Sequence, residues 1–224
     1  MTSDTAPLLA DALAAGTLVL DGGLSNQLGA AGHDLSDELW SARLLADRPD
    51  AIAEAHLAYF EAGADVAITA SYQATFEGFA RRGIKHDRAA ELMAESVELG
   101  IDAAVEAGRR GSKRPLYVAA SVGPYGAMLA DGSEYRGRYG LSVAELEAFH
   151  RPRLEVLDLV GPDVLAFETI PDTDEAEALL RAVRGLRTPA WLSYSIAATG
   201  LAPGSHWRRR SHWPPTWTRS SRSG

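Results

Sequence analysis

Residues 164–171 read VLAFETIP, and no other stretch limits the fold so tightly. Four apolar residues run without interruption into a carboxylate, then Thr169, Ile170 and a proline. An unbroken apolar run closed by a breaker is the signature of a strand covered on both faces, as in parallel sheets. Glu168 falls where that strand ends. Ligands of α/β folds bind at the carboxyl ends of the strands. A buried carboxylate left without a partner is strongly disfavoured, so Glu168 calls for a cation or hydrogen-bond donors.

Four other segments read as strands, and each also ends in polar residues or glycine. Thr17–Leu20 delivers Asp21-Gly22-Gly23, either a plain tight turn or a carboxylate with glycines that let backbone N–H groups approach a ligand. Asp65–Ala70 leads into Ser71, Tyr72, Gln73, Ala74 and Thr75, hydroxyls that satisfy their own loop or bind the polar end of a small molecule. Leu116–Ala120 leads into Ser121-Val-Gly-Pro-Tyr-Gly126, a shaped exit loop, followed by a long polar excursion. Ala190–Ser195 is the last. Helical spacing is predicted for Leu8–Ala15, Leu24–Gly32, Leu39–Ala46, Pro49–Ala62 and Asp87–Glu106. A further helix is capped by Ser142 with Glu145 three residues on, and another follows Pro171. His56 reads as a helix-face residue rather than a ligand. Strict strand–helix alternation means a parallel sheet. Polar strand ends fit a (β/α)8 TIM barrel, here an incomplete barrel of about five βα units against the eight of a full one.

No GxGxxG, Walker loop or HExxH occurs. The 224 residues contain no cysteine, which excludes disulfides and thiolate metal sites in this chain, and a net charge of −8 argues against nucleic acid as a partner. No apolar run is long enough for a membrane span, and the acidic start MTSDTAPLLADALAAG lacks the basic region of a signal peptide. The expected location is the cytoplasm.

Every acid lies at or before Glu177, whereas the segment 198–224 carries five arginines, three of the five tryptophans and two of the six histidines. The expected division is therefore 1–197 as a barrel portion and 198–224 as an aberrant, disordered Arg/Trp-rich tail. One reading makes it an arm for nucleic acid or membrane surfaces; the acidity of the rest opposes that. The preferred reading is a frameshift. With GC-rich codons, a shifted frame yields an amphipathic helical stretch and a strand-like VVAVG, as a sixth βα step should. The coding DNA tests this.

The strings LVLDGGLSNQL, DLSDELWSARLL, AGADVAITASYQATFEGFARRGI, VAASVGPYGAMLADGSEYRG, FHRPR and LAFETIPD together resemble the homocysteine S-methyltransferase family, in its S-methylmethionine-dependent branch. The resemblance spans residues 8–197. It implies a zinc-dependent TIM barrel that moves a methyl group from S-methylmethionine, or S-adenosylmethionine, to homocysteine, giving methionine. It also implies three cysteine thiolates from later strands as zinc ligands; this chain supplies none, so neither zinc nor a catalytic or metal residue is expected in it. His33, His56, His86 and His150 are scattered and do not replace them. Substrate-binding residues implied are Asp21 and Glu168 for the homocysteine ammonium, and Gly22, Ser71 and Ser121 as donors to its carboxylate. Tyr72 and Tyr125 either wall a sulfonium pocket or pack as ordinary aromatics. Glu134 is a donor-side carboxylate or, preferably, a solvated loop charge. Expected partners are homocysteine and a sulfonium donor, with self-association through unpaired sheet edges. The competing class is a non-catalytic truncated barrel fragment or amino-acid-binding module. An aldolase-type enzyme would want a Schiff-base lysine, and Lys85 and Lys113 both fall in loop-like stretches.

Overall fold

The computed structural model of the chain describes residues 7–35 and 40–196. The Arg/Trp-rich tail lies outside the described residues. In chain order the elements are α1 (Leu9–Ala15), α2 (Leu24–Ala30), α3 (Trp40–Asp47), α4 (Pro49–Ala62), β1 (Val66–Ile68), α5 (Phe76–Arg81), α6 (His86–Arg109), β2 (Tyr117–Val122), α7 (Tyr125–Leu129), a 3₁₀ turn (Ser133–Tyr135), α8 (Val143–Val160), β3 (Val164–Ile170), α9 (Thr173–Ala182) and β4 (Ala190–Tyr194). The sheet is parallel throughout, in the order β1-β2-β3-β4. Sequential strands joined through helices give the architecture of a (β/α) barrel, of which the described residues make an arc.

The period of two along each strand sorts side chains to the two faces. Val118, Ala120, Leu165 and Phe167 pack into the main core with Ile52, Leu92, Val97 and Leu154 of the surrounding helices. The alternate positions Val66, Tyr117, Ala119, Val164 and Ala166 form a second cluster with Leu9, with Ile68 and Trp191 packed against it. This second set lines the concave side. Leu9 of α1 closes its lower end, and the Tyr117 hydroxyl donates to the Pro7 carbonyl at 3.1 Å. Continuing the same alternation upward brings Ser121 and Glu168 to the concave side at the carboxyl end of the sheet.

Helix boundaries follow local chemistry. Pro49 opens α4, and Gly63 ends it at φ 115°, a conformation that glycine adopts without a side-chain penalty. Ser142 and Glu145 form the expected capping box at the start of α8. Pro152 lies inside α8, and the helix continues past it to Val160.

Three expectations are corrected. Thr17–Leu20 is not a strand but a single parallel bridge, Leu20 to Val66. With a neighbour on one side only, Val19 and Leu20 stay about half exposed, at 54% and 49%. The excursion after Gly126 is not extended loop, because α7 and the 3₁₀ turn fall within it. Helix α5 also has no counterpart in the expected elements; at six residues it is too short to display a helical period.

Candidate functional site

Asp21 follows the bridge at Leu20. Its backbone N–H donates to the Val66 carbonyl at 2.9 Å, and its Oδ2 accepts from the Ile68 N–H at 2.8 Å. The other oxygen, Oδ1, is buried and has no hydrogen-bond partner. Burial raises the Asp21 carboxyl to about 7, opposed by the Ile68 hydrogen bond and reinforced by the negative charge of Glu168. Glu168 is likewise raised by burial, against the hydrogen bond that Ser121 Oγ donates to its Oε1. Two carboxylates from non-adjacent strand positions thus face one space, and each resists ionising there. No cationic side chain is among the groups that set the ionisation of either one.

The rest of the rim braces these two groups. Thr69 Oγ1 and Ser71 Oγ are 2.7 Å apart, Ser71 Oγ donates to the Ser121 carbonyl at 2.7 Å, and the Ser121 N–H donates to Thr69 Oγ1 at 3.1 Å. Thr69, Ser71 and Ser121 are all buried, so their hydroxyls hold β1 and β2 together and orient Glu168. β3 changes register against β4 between Phe167 and Ile170, and Thr169 sits there at φ 60°. A β-branched residue in the left-handed region is strained, and such strain concentrates at ligand sites. The bulge turns the strand at Glu168 and leaves Thr169 to meet the Tyr72 hydroxyl.

Burial pushes the Tyr72 hydroxyl up to about 12, with Glu134, Tyr135 and Glu168 as the negative groups around it. Gly123 lies against its ring: a Cβ there would come within 2.7 Å of Tyr72. Tyr72 is therefore a fixed wall beside Glu168. Tyr125 instead packs between Tyr139 and Phe149, at ring-centroid distances of 5.1 and 4.8 Å, which favours its reading as a packing aromatic. Gly22 is exposed next to Asp21, and a Cβ on it would meet the Tyr59 hydroxyl at 2.8 Å. Tyr59 itself donates to the Gly23 carbonyl at 2.9 Å. Glu134 is not the solvated charge expected of a loop: it is half-buried, and its Oε2 is inaccessible and without a partner. The 3₁₀ turn that carries it packs backbone-to-backbone on Gly126. His56 is fully buried within α4, lacks partners on both ring nitrogens and has its pKa lowered to about 4 by burial, a neutral core residue.

The structure places Asp21, Ser71, Tyr72, Ser121 and Glu168 at the carboxyl end of the sheet, with Gly22 exposed beside Asp21. Sequence reasoning missed Thr69 and Thr169. Thr69 ends the apolar run of β1, and its hydroxyl was the available signal; the left-handed turn at Thr169 has none, because it arises from the bulge.

A sequence model described as homocysteine S-methyltransferase matches residues 18–211. The chain belongs to that family. It is 49% identical to a homocysteine S-methyltransferase of Bacillus subtilis over 190 residues, covering 82% of this chain and 60% of the relative. It is 52% identical to homocysteine S-methyltransferase 4 of Zea mays over 193 residues, covering 81% of this chain and 56% of that protein. The fold superposes on the metallated form of the homocysteine methyltransferase MmuM from Escherichia coli with a TM-score of 0.83 and 45% identity, covering 87% of this chain and 69% of that one. The oxidised form of the same enzyme gives a TM-score of 0.84 at 46% identity. The chain spans between half and two thirds of the length of these curated relatives.

The donor set does not fit the thiolate metal site that the family resemblance implies. The sequence has no cysteine, and among the described residues no group of three or more His, Cys, Asp or Glu could hold a metal ion. No helix among the described residues is long and apolar enough to cross a membrane.

Proposed function

We propose that this chain carries the amino-acid seat of a homocysteine S-methyltransferase and binds homocysteine by its ammonium end without transferring a methyl group. One observation carries the reading. Asp21 Oδ1 is buried without a partner beside a second buried carboxylate, Glu168. A primary ammonium has three donors and a positive charge, so it satisfies Oδ1, bridges to Glu168 and removes the cost of two ionised carboxylates in one cavity. The other end of a zwitterionic amino acid needs donors, and the backbone N–H groups of Gly22 and Gly23 are the available ones nearby. Tyr72 stands beside Glu168, and the charge of the half-buried Glu134, which also acts on the Tyr72 hydroxyl, favours a cationic second substrate, as a sulfonium methyl donor is.

In the complete family reaction homocysteine gives up its thiol proton and its sulfur bonds to the donor methyl as the donor's S⁺–CH3 bond breaks, giving methionine, a neutral thioether and a proton. By resemblance, that sulfur would be activated by a metal held on cysteine thiolates, and these 224 residues contain no cysteine. S-methylmethionine is the proposed donor, with S-adenosylmethionine the other sulfonium of this class.

Calorimetric titration with L-homocysteine tests the seat. Binding is expected, and Asp21→Asn or Glu168→Gln is expected to weaken it by about tenfold or more, the scale of a lost hydrogen bond to a charged group. No binding by the intact chain, or variants that bind as well as it does, would end this reading. A methyl-transfer assay with S-methylmethionine, with and without added zinc, is expected to show no turnover. Turnover with one tightly held zinc per chain would refute the inactivity.

A further inference from the structure

Behind the rim lies a buried polar group that the substrate reading does not use. His150 and Arg153 lie one helical turn apart on α8, and Glu175 projects from the first turn of α9. Their exposures are 0%, 1% and 0%. Arg153 Nη2 donates to His150 Nδ1 at 2.6 Å and also to the Gly123 carbonyl. His150 Nε2 is 2.9 Å from Glu175 Oε1, and the Tyr125 N–H donates to the same oxygen at 2.5 Å.

These contacts settle the proton on the imidazole. A guanidinium only donates, so Nδ1 must be an acceptor and Nε2 must carry the hydrogen. The ring is neutral, in keeping with burial and the neighbouring Arg153 charge, both of which lower its pKa. Glu175 Oε1 then receives two donors, an acceptor role it fills whether or not Oε2, buried without a partner, carries a proton; burial raises this carboxyl to about 7.

We propose that Glu175, acting with His150 and Arg153, is a positioning residue that clamps the β2-exit loop at Gly123–Tyr125 and so sets the wall of the ligand pocket. The clamp grips the backbone on both sides of Pro124: Arg153 holds the Gly123 carbonyl and Glu175 holds the Tyr125 N–H. From there the connection to the rim is short. The Gly123 N–H donates to the Tyr72 carbonyl at 3.1 Å, and the Gly123 Cα has no room for a side chain against the Tyr72 ring. Ser121, two residues before Gly123, donates to Glu168. A loop released from Glu175 frees Tyr72 and loosens the hydrogen bond that aims Glu168. The clamp is internal to the protein, whereas its effect on affinity rests on the homocysteine reading.

Amide hydrogen exchange and imidazole nitrogen NMR on the full chain test this. In the unaltered chain His150 is expected as the Nε2–H tautomer with a protected Tyr125 amide. Glu175→Ala is expected to speed exchange of the Tyr125 amide by about tenfold or more while amides of β3 and α6 change by less than about twofold, a local opening rather than a global one. Glu175→Gln keeps an acceptor oxygen and is expected to restore most of the protection. A Tyr125 amide unaffected in Glu175→Ala, a loss spread evenly over the core, or an Nδ1–H tautomer in the unaltered chain would overturn the proposal. The last needs no variant to fold. Homocysteine titrated into the same samples separates the two ideas: absence of binding by the unaltered chain removes the substrate reading, and the exchange data still decide the clamp.

Discussion

At the scale of single residues, the important asymmetry is between the two oxygens of Asp21. One is tied to β1 through the Ile68 N–H; the other is held away from water with nothing to accept from. The carboxyl titrates near 7 for that reason, with Glu168 adding to the shift. An ammonium ligand favours the ionised form, so affinity is expected to rise as pH goes from 5.5 to 8, and binding below 7 is expected to release protons. Calorimetry in buffers of different ionisation enthalpy measures that release directly; an affinity flat across this range would contradict it. The positions of Asp21 and Glu168 at strand ends were legible in the sequence because such ends advertise themselves by a switch from apolar to polar. Glu134 was less legible. One of its oxygens is inaccessible, and the turn that carries it packs on Gly126, a contact that no local pattern announces.

Among the elements, the strands and long helices were legible wherever they bury a face against several neighbours. α4, α6, β2 and β3 answered to their sequence periods. The segment 17–20 did not, since an apolar tetrapeptide reads alike whether it pairs along its length or touches at one point. α5 and α7, too short for a period, are set by their surroundings; for α5 that includes the Thr75 cap, which accepts from the Gly78 N–H at 2.9 Å. The capping box of α8 gives a clean test of local design. Ser142→Ala is expected to cost about 1 kcal/mol, lowering the melting temperature by about 2–4 °C in a chain of this size. Differential scanning calorimetry measures it, and an unchanged melting temperature would show that packing of α8 on α6 and α9 makes the cap redundant. Gly126→Ala acts between elements: its Cβ would sit 2.6 Å from the Ser133 carbonyl carbon. That backbone clash is expected to cost about 1–3 kcal/mol, read from the denaturation midpoint, and to disturb Glu134 in the same step.

For the whole molecule, the raised carboxyls make one contribution to the pH dependence of stability. Asp21 and Glu175 are each raised to about 7, and Glu168 is raised as well, all chiefly by burial. In the unfolded chain they titrate near 4, so between about 4 and 7 these groups hold more protons in the folded state and their contribution to stability falls as pH rises. Their favourable contribution is complete below 4 and gone above 7. The buried His56 and His150, both lowered, act in the opposite sense over the same range, so the comparison is between chains: from pH 4.5 to 7.5 the melting temperature of the unaltered chain is expected to fall relative to that of Asp21→Asn. Asp21 and Glu168 come from opposite sides of β2 in the sheet, yet they act on one another across the hollow because the strands curl. A bound amino acid would then serve as a keystone in an arch, locking the curvature that brings its two supports within reach. At a hundredfold excess over its dissociation constant such a ligand would add about 2.7 kcal/mol, and the arch would hold its shape most firmly when loaded.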